Sequence, residues 1–200
     1  ERLKTINIIT KANRRKGQFG KTTAGYGTDD RYLVGASINA FDEDQRLTFT
    51  GLTNNVNMLN YTSDANAQAD GRPQEGIVTT NILGLNYTDL WGEKMKVTGS
   101  YTFSNRENVG LVTRFRDFVT TDASNQEYSE SSRDVRVNNE HQAHLRLDYN
   151  PDSKNRILYI PRFTARYEDE NSGFFGETTD GNSLINTVEN TKTGNYQEFD

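Results

Sequence analysis

Met95-Lys96-Val97-Thr98-Gly99-Ser100-Tyr101-Thr102-Phe103-Ser104-Asn105 (MKVTGSYTFSN) alternates in character along its whole length. Met95, Val97, Tyr101 and Phe103, with Gly99 among them, form one set. Lys96, Thr98, Ser100, Thr102 and Ser104 form the other. Successive Cβ atoms of a strand point to opposite faces, so a period of two predicts a strand with one greasy wall and one wet wall.

The pattern recurs. Ala143, Leu145, Leu147 and Tyr149 oppose Gln142, His144, Arg146 and Asp148. Ile157, Tyr159, Phe163, Ala165 and Tyr167 oppose Arg162, Thr164 and Arg166, although the first half of that segment is apolar on both sides. Leu83, Leu85 and Tyr87 face away from Gly84, Asn86 and Thr88, and Tyr32, Val34, Ala36, Ile38 and Ala40 away from Gly35, Ser37 and Asn39. Arg46 to Leu59 keeps the alternation only through Leu47 and Phe49. No segment of useful length repeats at helical spacing. Short turns are predicted at Asp42–Gln45, Trp91–Lys94 and Asn150–Asn155, with a further short connection at Gly27–Asp30. Long polar loops are predicted over Tyr61–Gly76, Glu107–Asp134 and Glu168–Thr193. The fold class expected is all-β: an antiparallel transmembrane barrel, partial, of about eight strands.

Composition agrees with strands that are apolar on one side only. Hydrophobic residues make up 32% of the 200 residues, too few for a generous soluble core, yet ten Tyr and ten Phe are not the usage of a disordered chain. No apolar run reaches the ~18 residues of a membrane helix. The chain lacks cysteine, which removes disulfides, thiol nucleophiles and Cys-ligated metals. A net charge of −5 with interleaved signs gives no nucleic-acid footprint, and the basic run Lys11–Lys16 is short. There is no initiating Met and no signal peptide, so the chain reads as an internal fragment.

Alternation alone also suits a soluble antiparallel sheet with one wet face. Two features favour a membrane. Long and short connections alternate, as between the two ends of an outer-membrane barrel. Aromatic residues also gather near the short turns: Tyr87, Trp91, Tyr149 and Tyr159, a candidate girdle at the membrane interface. The localisation expected is the cell outer membrane.

Two stretches carry a family resemblance. Thr5-Ile6-Asn7-Ile8-Ile9-Thr10-Lys11 (TINIITK) resembles the last plug strand of TonB-dependent receptors, and Gly17–Phe41 (GQFGKTTAGYGTDDRYLVGASINAF) resembles the first barrel hairpin of that family, closest to its Bacteroidota-type outer-membrane β-barrel branch. Asn81–Tyr101, with its Trp-Gly turn, is similar to the same branch. Arg2-Leu3-Lys4 stands where many members carry Gly-Gly, which also points to that branch. The resemblance implies residues 1–16 as the end of a plug domain with its linker and 17–200 as the N-terminal part of the barrel. It implies uptake of a large nutrient, such as a siderophore complex, oligosaccharide or peptide. The implied partners are outer-membrane lipids, a TonB-type energy-coupling protein and a surface lipoprotein. A non-transporting barrel for adhesion or assembly, and a secreted carbohydrate-binding β-domain, remain the alternatives.

No catalytic residue and no cofactor is expected, and no metal site. His141 and His144, the only histidines, fall on opposite faces of a strand. The acidic runs Asp42–Asp44 and Glu168–Glu170 suit a solvated turn and a loop start. No G-x-S-x-G elbow is present, and Arg15 occupies the glycine position that a phosphate loop ending at Gly20-Lys21-Thr22 would need. Ligand contacts are sought on the long loops: Arg114, Phe115 and Arg116 on one, Phe174 and Phe175, between Gly173 and Gly176, on another. Exposed aromatics beside glycine can stack on sugars or close over a ligand.

Overall fold

A computed structural model of the chain describes residues 16–58, 76–119 and 125–200. The TINIITK stretch, most of the basic run and most of the first long loop lie outside the described residues. Nine strands form one antiparallel sheet: β1 (Lys16–Tyr26), β2 (Tyr32–Asp42), β3 (Gln45–Asn54), β4 (Ile77–Trp91), β5 (Met95–Val119), β6 (Asn125–Tyr149), β7 (Ile157–Tyr159), β8 (Arg162–Asp180) and β9 (Ser183–Phe199). Neighbours in sequence are neighbours in space, except that β7 and β8 both pair with β6. Among the described residues β1 and β9 are open edges and no helix occurs.

The short turns lie where local chemistry predicts them. Glu43 (φ 57°) and Asp44 close β2 onto β3, and Gly92 (φ 67°) opens the turn from β4 to β5. At the opposite end Asp29 and Asp30 both adopt positive φ, and the Tyr26 hydroxyl donates to Asp30 Oδ1 at 2.7 Å. Asn and Asp tolerate this left-handed region better than most residues.

The strand predicted over Ile157–Tyr167 is broken into β7 and β8. Pro161 has no N–H to give the ladder, which separates the two pieces, although its carbonyl still accepts from Leu145 N at 3.0 Å. The Arg46–Leu59 segment stops being strand at Asn54. There the Asn54 side chain accepts from Met58 N (2.9 Å) and Val56 N (3.2 Å) and donates to Met58 O (2.8 Å). It is fully buried, and folds the chain back by supplying backbone partners that the sheet no longer supplies.

Two predicted loops are strands instead. Glu107–Asp134 forms the outer halves of β5 and β6, joined across residues 120–124, and Glu168–Thr193 lies in β8 and β9, joined at Gly181-Asn182. β4 ends its pairing with β5 at Ile77–Val109, so β5, β6, β8 and β9 continue past it as a four-stranded extension. These segments carry polar residues on both faces, so no alternation marks them. Each is held by backbone pairing to a strand already in register.

Glycine is required at one junction above others. Gly76, which leads into β4, has φ +94°, and a Cβ there would collide with the Val109 carbonyl oxygen. Gly76→Ala is expected to destabilise the protein by about 1–3 kcal/mol, read as a lower urea midpoint with unchanged slope.

Candidate functional site

The register assigns every side chain to one of two faces. On the face that carries Val97, successive rows across the sheet are apolar. Leu47, Tyr87, Gly99 and Leu145 form one row, Ile38, Phe49, Leu85, Tyr101, Ala143 and Phe163 the next, and Leu83, Phe103, His141, Ala165 and Phe199 the third. No Asp, Glu, Lys or Arg stands in these three rows. Many of the large members are more than a third exposed, Ile38 and Phe163 to 50%. On the other face, the same span of strand carries Arg46, Lys96, Arg146, Arg162, Glu140, Arg166 and Glu198.

The few buried residues are divided between the two faces. Leu52, Val78, Asn54, Thr80, Gly84 and Ser104 are the buried residues of β3–β5 on the polar face. Val97 and Ala165, small and hemmed in by larger neighbours, are the buried residues of the apolar face.

The apolar rows end abruptly at both sides. Beyond the Phe103 row comes a ladder of amides: Thr53 Oγ1 donates to Asn81 Oδ1 (2.7 Å), Asn81 Nδ2 to Asn105 Oδ1 (3.0 Å), and Asn105 Nδ2 to Asn139 Oδ1 (2.8 Å). Sequence reasoning missed it. The available signal was that each Asn stands two residues beyond an apolar or aromatic-ring member of its strand: Leu83 for Asn81, Phe103 for Asn105 and the His141 imidazole for Asn139. Just inside the ladder, His141 lies in a row of aromatic rings. It contacts the Tyr101 hydroxyl through Nδ1 (2.9 Å) and packs against Phe103 (4.8 Å between centroids) and edge-on to Tyr167 (6.5 Å), which meets Phe199 (5.6 Å). His144 lies on the polar face beside Ser100 and Arg162.

At the short-turn end the structure brings together the predicted aromatic set. Trp91, Tyr149, Tyr87 and Tyr159 all stand on the apolar face. Trp91, 51% exposed, donates from Nε1 to the Tyr87 hydroxyl (3.2 Å), which donates to Asp89 Oδ2 (2.7 Å).

The predicted ligand residues are placed differently from expectation. Arg114, Phe115 and Arg116 belong to β5, and Phe174 and Phe175 to β8; none is on a loop. Alternation separates them. Arg114, Arg116 and Phe174 lie on the polar face, Phe115 (78% exposed) and Phe175 on the other. On the polar face Arg114 pairs with Glu130 (3.2 Å), and the Tyr128 hydroxyl donates to the other Glu130 oxygen (3.2 Å). Tyr128 and Phe174 close over Gly176, where a Cβ would come within 2.8 Å of the Tyr128 hydroxyl. Partial burial, with the Glu130 carboxylate beside it, pushes the Tyr128 hydroxyl above its usual range.

The acidic run Glu168–Glu170 is likewise strand, with its glutamates committed to ion pairs. Arg136 reaches Glu168 (3.3 Å) and Glu170 (3.0 Å), and Lys192 reaches Glu170 (3.0 Å). Among the described residues no group of three His, Cys, Asp or Glu is disposed to hold a metal.

No protein-family model, curated protein or solved structure matches the chain.

Two outcomes follow. Asn105→Ala removes two ladder bonds and strands an amide on each side, so it is expected to cost about 1–2 kcal/mol in urea unfolding; no loss would mean that solvent replaces the ladder. Lys192, then Arg136, holds the Glu170 carboxyl below its ordinary value of 4.5. A depressed carboxyl stabilises the fold above its ordinary value, and that contribution is lost as pH falls through the depressed one. The gap in unfolding midpoint between wild type and Glu170→Gln should therefore be widest near neutral pH and close below the carboxylate range.

Proposed function

We propose that the chain forms part of the wall of an outer-membrane TonB-dependent transporter of the Bacteroidota type, which takes up a large nutrient such as a siderophore complex, oligosaccharide or peptide. The observation that carries the membrane part is the segregation of the sheet: one face exposes a charge-free band of large apolar side chains, and the other carries the charges. About a dozen large side chains stand half-exposed on one face, from Trp91, Tyr149 and Ile157 up to Leu83 and Phe199. Covering them is worth on the order of 10 kcal/mol at ~25 cal/mol per Å², comparable with the whole net stability of a domain, ~5–15 kcal/mol. Acyl chains supply that cover. Met95 to Phe103 has the ~9–11 residues that a tilted strand needs to cross a bilayer. Charges on the apolar face return beyond the Asn ladder, at Glu107, Asp169 and Arg133.

A sheet with open edges cannot face lipid, because its unpaired N–H and C=O groups find no water there. The free edges of β1 and β9 are where further strands would add to close the wall. Tyr87, Trp91, Tyr149 and Tyr159 then sit at one interface, and His141 with its aromatic neighbours near the other. The four-stranded extension rises roughly 45 Å along the strand past Asn105, at ~3.3 Å per residue, on the side away from the short turns. Transport and the coupling partner rest on the resemblance of Thr5–Lys11 and Gly17–Phe41 to TonB-dependent receptors. Outer-membrane lipids, the TonB-type protein and a surface lipoprotein are the partners this reading names.

The chain has no cysteine, which makes single-cysteine labelling direct. Spin labels placed in turn from position 97 to 113 of the full-length protein in outer-membrane vesicles should alternate in oxygen and nickel-chelate access up to position 103. Odd positions should favour oxygen; beyond position 107 both faces should admit the chelate. Equal chelate access at odd and even positions between 97 and 103 would sink the membrane wall. Crosslinking in cells to a TonB-type protein tests transport separately: a barrel that never crosslinks is not this kind of transporter.

A further inference from the structure

Buried polar side-chain atoms without a hydrogen-bond partner are gathered in one place. Among the described residues they are Thr80 Oγ1, Arg106 Nε, Asn108 Oδ1 and Arg166 Nε. All lie on the polar face within three successive rows: Arg166 in the row of Glu140 and Ser104, Thr80 directly opposite Arg106, and Asn108 one row beyond. Arg166 is otherwise occupied, with Glu140 at 3.3 Å and Glu198 at 3.6 Å. Arg106 is not. It is half-buried, and its guanidinium makes no ion pair or hydrogen bond with a described residue. The nearby acids are committed elsewhere, Glu140 to Arg166 and Gln142 and Glu168 to Arg136.

A guanidinium cannot shed its charge, and sheltering it unpaired is costly. The Thr80 hydroxyl faces it across the ladder with Cβ atoms ~5 Å apart, and Thr80 is 0% exposed. The Asn108 amide follows ~7 Å along the same face. The free Asn108 atom is Oδ1, an acceptor, so the donors are the Arg106 guanidinium and the Thr80 hydroxyl, the kind that carboxylates and phosphates take. Asn108 also lines a hollow of about 590 Å³ with Val112, Asp134, Arg136 and Glu170, which leaves room for the body of a ligand. Glu170 there is neutralised by Lys192 and Arg136. Asp134 is four residues farther along than Arg106, ~13 Å, beyond the ~8–10 Å screening length of physiological salt.

We infer that Arg106 and Thr80, beside the hollow that Asn108 lines, form a binding site for the oxyanion group, carboxylate or phosphate, of a solute that reaches the polar face. The site depends on the hydrogen-bond accounting of that face and stands apart from the membrane reading.

The test is calorimetric titration of the full-length purified protein with inorganic phosphate and, separately, with acetate. Saturable binding of at least one in the millimolar range is expected. Arg106→Met should weaken it at least about tenfold, the loss of a charged hydrogen bond. Thr80→Val should weaken it less, and Arg106→Lys should be intermediate. Glu107→Gln, on the opposite face, should leave it unchanged. Arg106→Lys and Thr80→Val keep the test valid should Arg106→Met not fold. Absence of binding by the wild type overturns the inference: water, or a carboxylate of the protein itself, then completes the site, and a fall in stability of Arg106→Met marks the second case. Equal binding by wild type and the Arg106 and Thr80 variants overturns it too.

Discussion

Everything in this sheet depends on an unslipped antiparallel ladder. A side chain's face is decided by parity, so a shift of one residue in any pairing would carry the whole apolar set of that strand to the other side. The pairing of Met95 with both Trp91 and Tyr149 starts the register at the short turns. From there it runs without irregularity along the full shared length of β5 and β6. Among the described pairings the one irregularity is a shift between Thr178 and Thr179 opposite β9, at the far tip of the extension.

The ladder puts like beside like. Three rows without a charge stack into a band, and the amides of Asn81, Asn105 and Asn139 close it by bonding to one another. A lone Asn on an apolar wall would be a liability; three in register satisfy each other across the strands. On the opposite face the same register builds ion pairs across neighbouring strands, from Arg136 to Glu168 and Glu170 and on to Lys192. Exposed pairs of this kind contribute little singly, and their value lies in a connected set. Against that background Arg106 is conspicuous, a cation of the same face left outside the network.

Strand content was legible where alternation was strong. Met95–Asn105 and Gln142–Tyr149 announce themselves, and the turns at Glu43-Asp44 and Gly92–Lys94 follow from residues that favour turns or accept positive φ. The outer halves of β5, β6, β8 and β9 were not legible. Arg114 to Phe118 and Glu168 to Gly176 mix charge and aromatic character on both faces, so periodicity has nothing to report; they are strands because a neighbour already offers a row of backbone partners. The ligand candidates on those segments are therefore expected on two separate loops, whereas parity sends Arg114, Arg116 and Phe174 to one side and Phe115 and Phe175 to the other. Pro161 was visible, yet its effect, a break between β7 and β8, needed the β6 partner to be seen.

From sequence alone came the period of two, the turns, the lack of cysteine and the gathering of Tyr87, Trp91, Tyr149 and Tyr159 near the short connections. Those are local properties, set by backbone sterics and by which residues accept a turn. Which residues meet across strands was settled only by the tertiary structure: the Asn ladder, the His141 aromatic row, the Arg136 network and the unpartnered Arg106 facing Thr80. Their members lie far apart in the chain, and only hydrogen-bonded register, a property of pairs of strands, brings them into one row.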